Sequence, residues 1–251
     1  CGGCSFQNLE YGQQLKQKGN QVKDTLSHIG NLKSLKIKPI IEAKEHFKYR
    51  NKMEFTFSSN QWFEKHNPKE KKKLCLGLHP KGRWDKTIDL ESCQIQSDIA
   101  NKIMTITRNV ALKNKLVPYD IKKHTGFLRQ LVIRSADYNN ETMVIIVTSK
   151  NDEKKLRPII EELSKIKKIK SIINNINSKK ADISYSNERY LLHGEDFITE
   201  KIGDYKFKIS SDSFFQTNSK QTKKLYDIIK KEANLKGNEI IYDLYCGTGT
   251  I

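Results

Sequence analysis

The feature that most constrains this chain is its last stretch, Glu239-Ile240-Ile241-Tyr242-Asp243-Leu244-Tyr245-Cys246-Gly247-Thr248-Gly249-Thr250-Ile251. An apolar run of strand type leads into a Gly-x-Gly turn. Such a turn lets backbone approach a bound group, because glycine has no Cβ to clash. A strand and glycine turn of this kind build a site only with a following helix and further strands. The chain stops one residue beyond Thr250, so it reads as cut in mid-domain, and a first residue of Cys rather than Met reads as truncation at the other end.

A nicotinamide fingerprint, G-x-G-x-x-G, would place a third glycine at position 252, after the last residue. Asp243 near the strand end suits a cofactor with a cationic amino group better than one with phosphates, and S-adenosylmethionine is such a cofactor. The plain alternative is a strand–turn–helix with no ligand.

Across 251 residues, 46 Lys and Arg stand against 29 Asp and Glu, a formal charge of +17. That balance points to a polyanionic partner, most often nucleic acid. The alternative is a lysine-rich composition that only solvates the surface. No apolar run approaches the roughly 20 residues that cross a bilayer. No signal-peptide pattern is read in these residues, and the cytoplasm is the expected setting.

There are five cysteines, Cys1, Cys4, Cys75, Cys93 and Cys246. An odd number without secretory context argues against a disulfide framework. Cys1-Gly-Gly-Cys4 has the spacing that brings two thiolates onto zinc or an iron–sulfur cluster, and equally that of a redox pair.

Periodicity divides the rest. Helical spacing over Leu9–Ile29 predicts a helix with Gly30 as its C-cap. Alternation over Phe47–Phe57 predicts a half-buried strand. Lys65–Lys73 reads as a charged hairpin tip. Leu74–His79 and Thr87–Leu90 read as short strands around Pro80-Lys81-Gly82-Arg83. A helix is expected through Ile95–Val110, and strands at Gln130–Ser135 and Met143–Thr148 about a turn at Tyr138-Asn139-Asn140. A further helix over Arg157–Ile166 takes Pro158 near its first position. Ser171–Ile176, Arg189–Leu192, Phe197–Ile202 and Tyr205–Ile209 read as strands, the last two joined at Gly203-Asp204. Asn218-x-x-Gln221 reads as a capping box opening a helix with Leu225, Ile228, Ile229 and Ala233 on one face.

Taken in order, several motifs resemble the RNA (uracil-5-)-methyltransferases. They are Cys-Gly-Gly-Cys-x-x-Gln with Tyr11 and Gln14-Leu15, Tyr49-Arg50-Asn51-Lys52-Met53-Glu54-Phe55, Gly77-Leu78-His79, Cys93-x-Ile-Gln96 and Phe127-Leu128-Arg129. Ser213-Phe214-Phe215-Gln216-x-Asn218 and Asp243-Leu244-Tyr245-Cys246-Gly247-Thr248-Gly249 complete the set. The chain is most similar to the cluster-bearing branch that methylates 23S ribosomal RNA, with the transfer-RNA enzymes as the alternative target class. From a different class, the alternative is a non-catalytic, metal-containing RNA-binding module.

The resemblance implies an α+β central domain with an iron–sulfur loop, followed by the start of an α/β Rossmann-like methyltransferase domain. Its divisions would be 1–44 (thiolate loop and linking helix), 45–209 (central domain) and 210–251 (opening of the S-adenosylmethionine domain). The early helix would pack on that last domain. The family's cluster ligands transfer to Cys1, Cys4 and Cys93, and the fourth position of a [4Fe–4S] quartet would precede residue 1. A three-cysteine set should hold a cubane poorly. Cys75, in an apolar strand, is expected to act as a small hydrophobe rather than the missing ligand. A zinc site with His66 or His79 is the other alternative.

Cofactor-binding roles transfer to Gln216, Tyr245 and Thr250, with Asp243 and Gly247 at the turn. Phe214 and Arg129 are the RNA-binding candidates, Phe214 by stacking on an unpaired base. One of Phe214 and Phe215 is expected to be core. Arg50, Lys52 and Arg134 are weaker candidates for tracking phosphates. The family's cysteine nucleophile and carboxylate base lie beyond the glycine turn, and Cys246 is a poor substitute for the nucleophile, so the chain alone is expected to be inactive. Ribosomal RNA is the expected partner, with no membrane and no obligate protein partner.

Overall fold

The computed structural model describes residues 1–63 and 73–250. The expected hairpin tip at Lys65–Lys73 falls almost wholly outside the described residues, as does Ile251.

Among the described residues, nine strands and four α-helices make a mixed α/β fold. Helix α1, Tyr11–Asp24, continues into a π-helical turn at Thr25–Ile29 and leaves none of its residues buried. Gly30 ends it in right-handed geometry, with φ −77°. The left-handed residue is Asn31, φ 53°, so the asparagine reverses the chain where the glycine was expected to.

Strands β1 (Lys52–Ser58), β2 (Cys75–Leu78), β3 (Ile88–Asp89), β4 (Leu128–Ser135), β5 (Thr142–Thr148), β6 (Ile169–Ile176) and β7 (Arg189–Gly194) form one sheet in the order β3-β2-β1-β4-β5-β6-β7. Every pairing is antiparallel except β5 with β6. That parallel pair needs a crossover, and α3 (Glu153–Ser164) supplies it. The first residues of the strand expected from Phe47 are not strand. Lys48 turns at φ 54°, and the amides of Lys48 and Arg50 bond to Gln94 and Ile95, so the ladder opens only at Lys52.

The period of two divides the side chains between two cores. Phe55, Leu131, Ile133, Val144, Ile146 and Ile172 face α2 (Asp98–Lys113) and α3. Val132, Met143, Ile145, Val147 and Ile173 face the other way, onto Ile198, Ile202, Ile209 and Phe215. Strand β5 is therefore buried at every residue. The second face is covered by a two-stranded ribbon, β8 (Phe197–Ile202) and β9 (Tyr205–Ser210), turning at Gly203, φ 59°. The turn needs a positive φ, which glycine takes without strain.

Helix α2 starts at Ser97, whose hydroxyl accepts from the Ala100 amide. Helix α3 starts four residues before Pro158's expected neighbour Arg157, because Asp152 caps it at the Lys155 amide, and Pro158 lies inside the helix. Helix α4 (Ser219–Ala233) starts at Asn218, whose side chain accepts from the Gln221 amide at 3.0 Å. Only that half of the capping box forms. The Gln221 side chain donates instead to the Glu42 carbonyl. None of the described helices is long and apolar enough to cross a membrane.

The expected strand at Glu239–Tyr242 is not formed. A strand exists by pairing, and no described strand pairs with this segment, so Ile240, Ile241, Tyr242 and Leu244 stand exposed.

Candidate functional site

The site is assembled around the loop between β9 and α4, residues 211–218. Arg134, at the end of β4, lies under it with 2% exposure. One guanidinium nitrogen donates to the Ser210 and Ser211 carbonyls at 2.7 and 3.0 Å, and the other to Ser213 at 2.6 Å. Burial pulls the Arg134 guanidinium down to about 10, against the upward pull of Asp212 and Glu54, so it stays charged at neutral pH. The loop's far side is held by Asn51. Its backbone amide donates to Thr217, and its Nδ2 to the Gln216 carbonyl and the Ser219 hydroxyl, each at 2.9 Å. The buried Glu200 carboxylate accepts from Ser219 Oγ and from the amides of Asp137 and Tyr138, tying the same loop to the β4–β5 turn.

These clamps fix the two phenylalanines in opposite environments. Phe215 is 4% exposed, in the core against Phe207 with ring centroids 6.1 Å apart. Phe214 is 71% exposed. One ring of the pair is core and the other is presented to solvent, as the sequence suggested. A rigid loop that holds an aromatic ring open to water is a platform for a flat ligand such as a base.

The Gly-x-Gly turn meets this loop. Thr248 Oγ1 donates to the Phe214 carbonyl at 3.3 Å, and Tyr226 of α4 bonds to Thr250 at 2.7 Å. The turn closes on itself through the Gly249 amide and the Cys246 carbonyl at 2.7 Å. Gly247 and Gly249 have φ of 54° and 67°. No atom lies within 4 Å of where a Cβ on Gly249 would sit. Asp243 accepts from the Tyr245 amide, and the Tyr245 ring is 96% exposed. Thr248 is thus brought to the loop that carries Gln216, and Thr250 to α4, while Asp243 and Tyr245 make no hydrogen bond to either.

A cavity of about 340 Å³ borders the Phe214 loop. It is lined by Cys1, Cys4 and Cys93 together with Arg50, Lys52, Phe214 and Phe215. The thiolate loop reaches it because the Gly2 amide bonds to the His79 carbonyl at 3.0 Å, an approach at which a Cβ on Gly2 would stand 2.6 Å from that oxygen. Cys93 is held from the other side, its amide and carbonyl both bonded to the Asn101 side chain. Burial raises the Tyr49 phenol, and the adjacent Cys4 thiol adds to the shift. The three thiols share a cavity, yet among the described residues no group of three or more His, Cys, Asp or Glu is gathered at metal-binding distance. Three thiols are also one short of the four that hold an iron–sulfur cube.

Cys75 and His79 are not part of this cavity's ligand set. Cys75 is fully buried with its thiol on the Ser58 carbonyl, as expected of a small hydrophobe. Both His79 nitrogens are engaged, by the Lys86 carbonyl at 2.6 Å and the Thr56 hydroxyl at 3.3 Å. His66 lies outside the described residues.

Arg129 is corrected. It is 2% exposed, and its guanidinium donates to the carbonyls of Asn177, Lys179 and Ala181 with the Tyr119 ring 4.2 Å away. It ties down the segment before β7 and has no face for a phosphate. Arg134 is corrected for the same reason. Arg50 and Lys52 do reach the cavity, although Arg50 Nε is engaged by the Lys52 carbonyl and Lys52 pairs with Glu54. Glu200 and Asn51 were not singled out from the sequence as loop anchors; Asn51 was noted only within a motif.

No protein-family model matches the chain. It is similar to uncharacterized RNA methyltransferases of Chlorobaculum tepidum (34% identity) and Halalkalibacterium halodurans (35% identity), in each case over all of this chain and 53% of the relative. A relative of the same description from Caldanaerobacter subterraneus is 36% identical, over all of this chain and 54% of its own. The chain therefore spans about half the length of these curated relatives. Among solved structures it is similar to the Pyrococcus abyssi tRNA (uracil-54, C5)-methyltransferase in complex with S-adenosyl-L-homocysteine, with a TM-score of 0.73 and 26% identity, over all of this chain and 54% of the other.

Proposed function

We propose that this chain is the base-presenting part of an RNA methyltransferase that uses S-adenosylmethionine to methylate uracil at C5. The observation that carries the reading is the clamped loop that exposes the Phe214 ring and bonds to the glycine turn through the Phe214 carbonyl and Thr248. Relatives described as RNA methyltransferases, and a neighbour solved with S-adenosyl-L-homocysteine, support it.

The residues fit the cofactor in kind. A carboxylate stands at the entry to a turn of two positive-φ glycines, with open space above Gly249. When bound, the cofactor supplies an electrophilic methyl group. On this reading the chain's own residues position rather than react. Phe214 stacks the extruded base, Gln216 hydrogen-bonds to the uracil edge or the methionine end, and Arg134 and Asn51 keep both at fixed height. Asp243 neutralises the cofactor's amino group, Tyr245 walls it, and Gly247 and Thr250 shape the turn. No residue of this chain is assigned to the covalent step.

The finer reading places the target in 23S ribosomal RNA and a [4Fe–4S] cluster on Cys1, Cys4 and Cys93. Its support is the convergence of those thiols on one cavity beneath Phe214. The set is incomplete at three, so the cluster enters no step. The proposed divisions are 1–44, 45–209 and 210–251, with the last packing its Phe215 into the central core. The neighbour's transfer-RNA substrate is the alternative target.

The test pairs the two phenylalanines. Stacking on one base is worth about 1–3 kcal/mol. Phe214→Ala should weaken binding of a single-stranded, uridine-containing RNA about ten-fold, measured by fluorescence anisotropy, with an unchanged melting temperature. Phe215→Ala should instead cost about 3–5 kcal/mol of stability. Equal RNA affinity in Phe214→Ala and the unsubstituted chain would sink the base-platform reading.

A further inference from the structure

We propose that the outer face of the β8–β9 ribbon is a docking track for the RNA backbone, leading to the Phe214 loop. The inner face of this ribbon carries Ile198, Ile202 and Ile209 into the core. By the period of two, its outer face carries Lys201, Lys206 and Lys208. Lys201 and Lys206 are directly opposed across the two strands. Like charges in that position oppose pairing, so the arrangement works against the fold that holds it.

Among the described residues none of the three lysines makes an ion pair. Asp204 lies in the ribbon's own turn and Asp137 beside Tyr138, and neither pairs with these lysines; two further carboxylates are engaged mainly by backbone. Glu141 accepts from the Thr199 amide, and Glu200 from the amides of Asp137, Tyr138 and Lys201. The lysines lie instead over aromatic rings. The Lys201 and Lys206 ammonium groups stand 5.8 and 5.3 Å from the ring centre of Tyr138, and Lys208 stands 4.3 Å from that of Phe197. Ammonium groups interleaved with rings are the composition of a single-strand track, where phosphates meet the charge and bases meet the rings.

The position of the ribbon gives the track a direction. Phe197 pairs with Ser210 at its root. The Ser210 carbonyl is the first one that Arg134 takes in clamping the Phe214 loop. Six residues of strand span about 20 Å. A strand of RNA lying along the ribbon from Tyr138 would thus arrive at Phe214. This inference rests on the RNA-methyltransferase reading for the identity of the polyanion.

The experiment measures binding of a fluorescent single-stranded oligouridylate by anisotropy across a series of salt concentrations. It compares the unsubstituted chain, the triple variant Lys201→Gln, Lys206→Gln, Lys208→Gln, and a control triple of equal charge on the α3 side, Lys154→Gln, Lys167→Gln, Lys168→Gln. Each phosphate contact contributes about 0.7 to the slope of log affinity against log salt for single strands. The ribbon variant should bind at least ten-fold more weakly at low salt, with the slope flattened by about 2, while the control changes little. Its melting temperature should hold or rise, since an opposed lysine pair has been removed. Equal losses in the ribbon and control variants would overturn the proposal and leave only general charge attraction. A lower melting temperature in the ribbon variant would also overturn it, by assigning the lysines to the fold. Failure of the unsubstituted chain to bind any RNA would overturn both this inference and the reading beneath it.

Discussion

Arg129 and Arg134 stand five residues apart on β4, and each spends its guanidinium on three backbone carbonyls of a distant loop. Hydrogen bonds to charged groups contribute about 1.5–3 kcal/mol apiece, and the planar fork takes several at once. Lysine would keep the charge and lose the geometry. Neither role was legible in the sequence, because the carbonyls lie 48 to 52 residues beyond Arg129 and 76 to 79 beyond Arg134. An arginine at a strand end carries no local mark of such a target. Cys75 is the opposite case, since its apolar neighbours Leu74 and Leu76 announce burial. Burial, with Asp89 adding to it, pushes the Cys75 thiol up to about 12. A folded value above the unfolded one means that its contribution to stability is whole below about pH 9 and is lost as pH rises towards 12. Above pH 9, urea unfolding of the native chain should therefore lose up to roughly 1.4 kcal/mol per pH unit more than Cys75→Ala does. Parallel curves for the two proteins would contradict this. Iodoacetamide at pH 8 should label the exposed Cys1 and Cys246 and spare Cys75 until the chain is unfolded.

At the scale of elements, α3 shows where local pattern and structure part. Its apolar stripe of Ile159 and Leu163 was readable, and both are buried against the sheet. Its start was misplaced because proline favours a first helical turn, yet Asp152 supplies a cap upstream and Pro158 is carried inside. There the proline denies the Lys154 carbonyl its partner, a defect that costs up to about 3 kcal/mol in a helix interior. Pro158→Ala should raise stability by about 1–2 kcal/mol, less than the full defect because proline also restricts the unfolded chain. Thermal melts of the two proteins check it, and a lower melting point for the alanine variant would show that the proline fits a bend the crossover needs. The strands of the sheet were legible because alternation is a property of adjacent residues. The ribbon was legible too, from its glycine turn. Their order in the sheet was not, since it depends on pairings across the chain such as β1 with β4. The segment at Glu239–Tyr242 has the composition of a strand and no pairing edge among the described residues, so its pattern alone was insufficient.

At the scale of the whole molecule, two properties oppose each other. A formal charge of +17 keeps copies apart. Against it stands exposed apolar surface, among it Ile29 after α1, Leu225, Ile228 and Ile229 on α4, and Ile240, Ile241, Tyr242 and Leu244 before the glycine turn. Helix α4 is amphipathic, with its apolar face only half covered, so its pattern calls for a neighbour that these residues do not supply. Exposed apolar surface of this kind drives association once repulsion is screened. The screening length is about 10 Å at 0.1 M salt and about 3 Å at 1 M. This chain should therefore remain monomeric at low salt and self-associate as sodium chloride is raised, the reverse of an assembly held by ion pairs. Light scattering across a salt series checks the direction. Ile240→Asn with Leu244→Asn should shift the onset to higher salt without altering the melting temperature, since neither side chain is packed in the native protein. Association that weakens with salt would place its origin in charge rather than in the exposed apolar side chains of α4 and of residues 240–244.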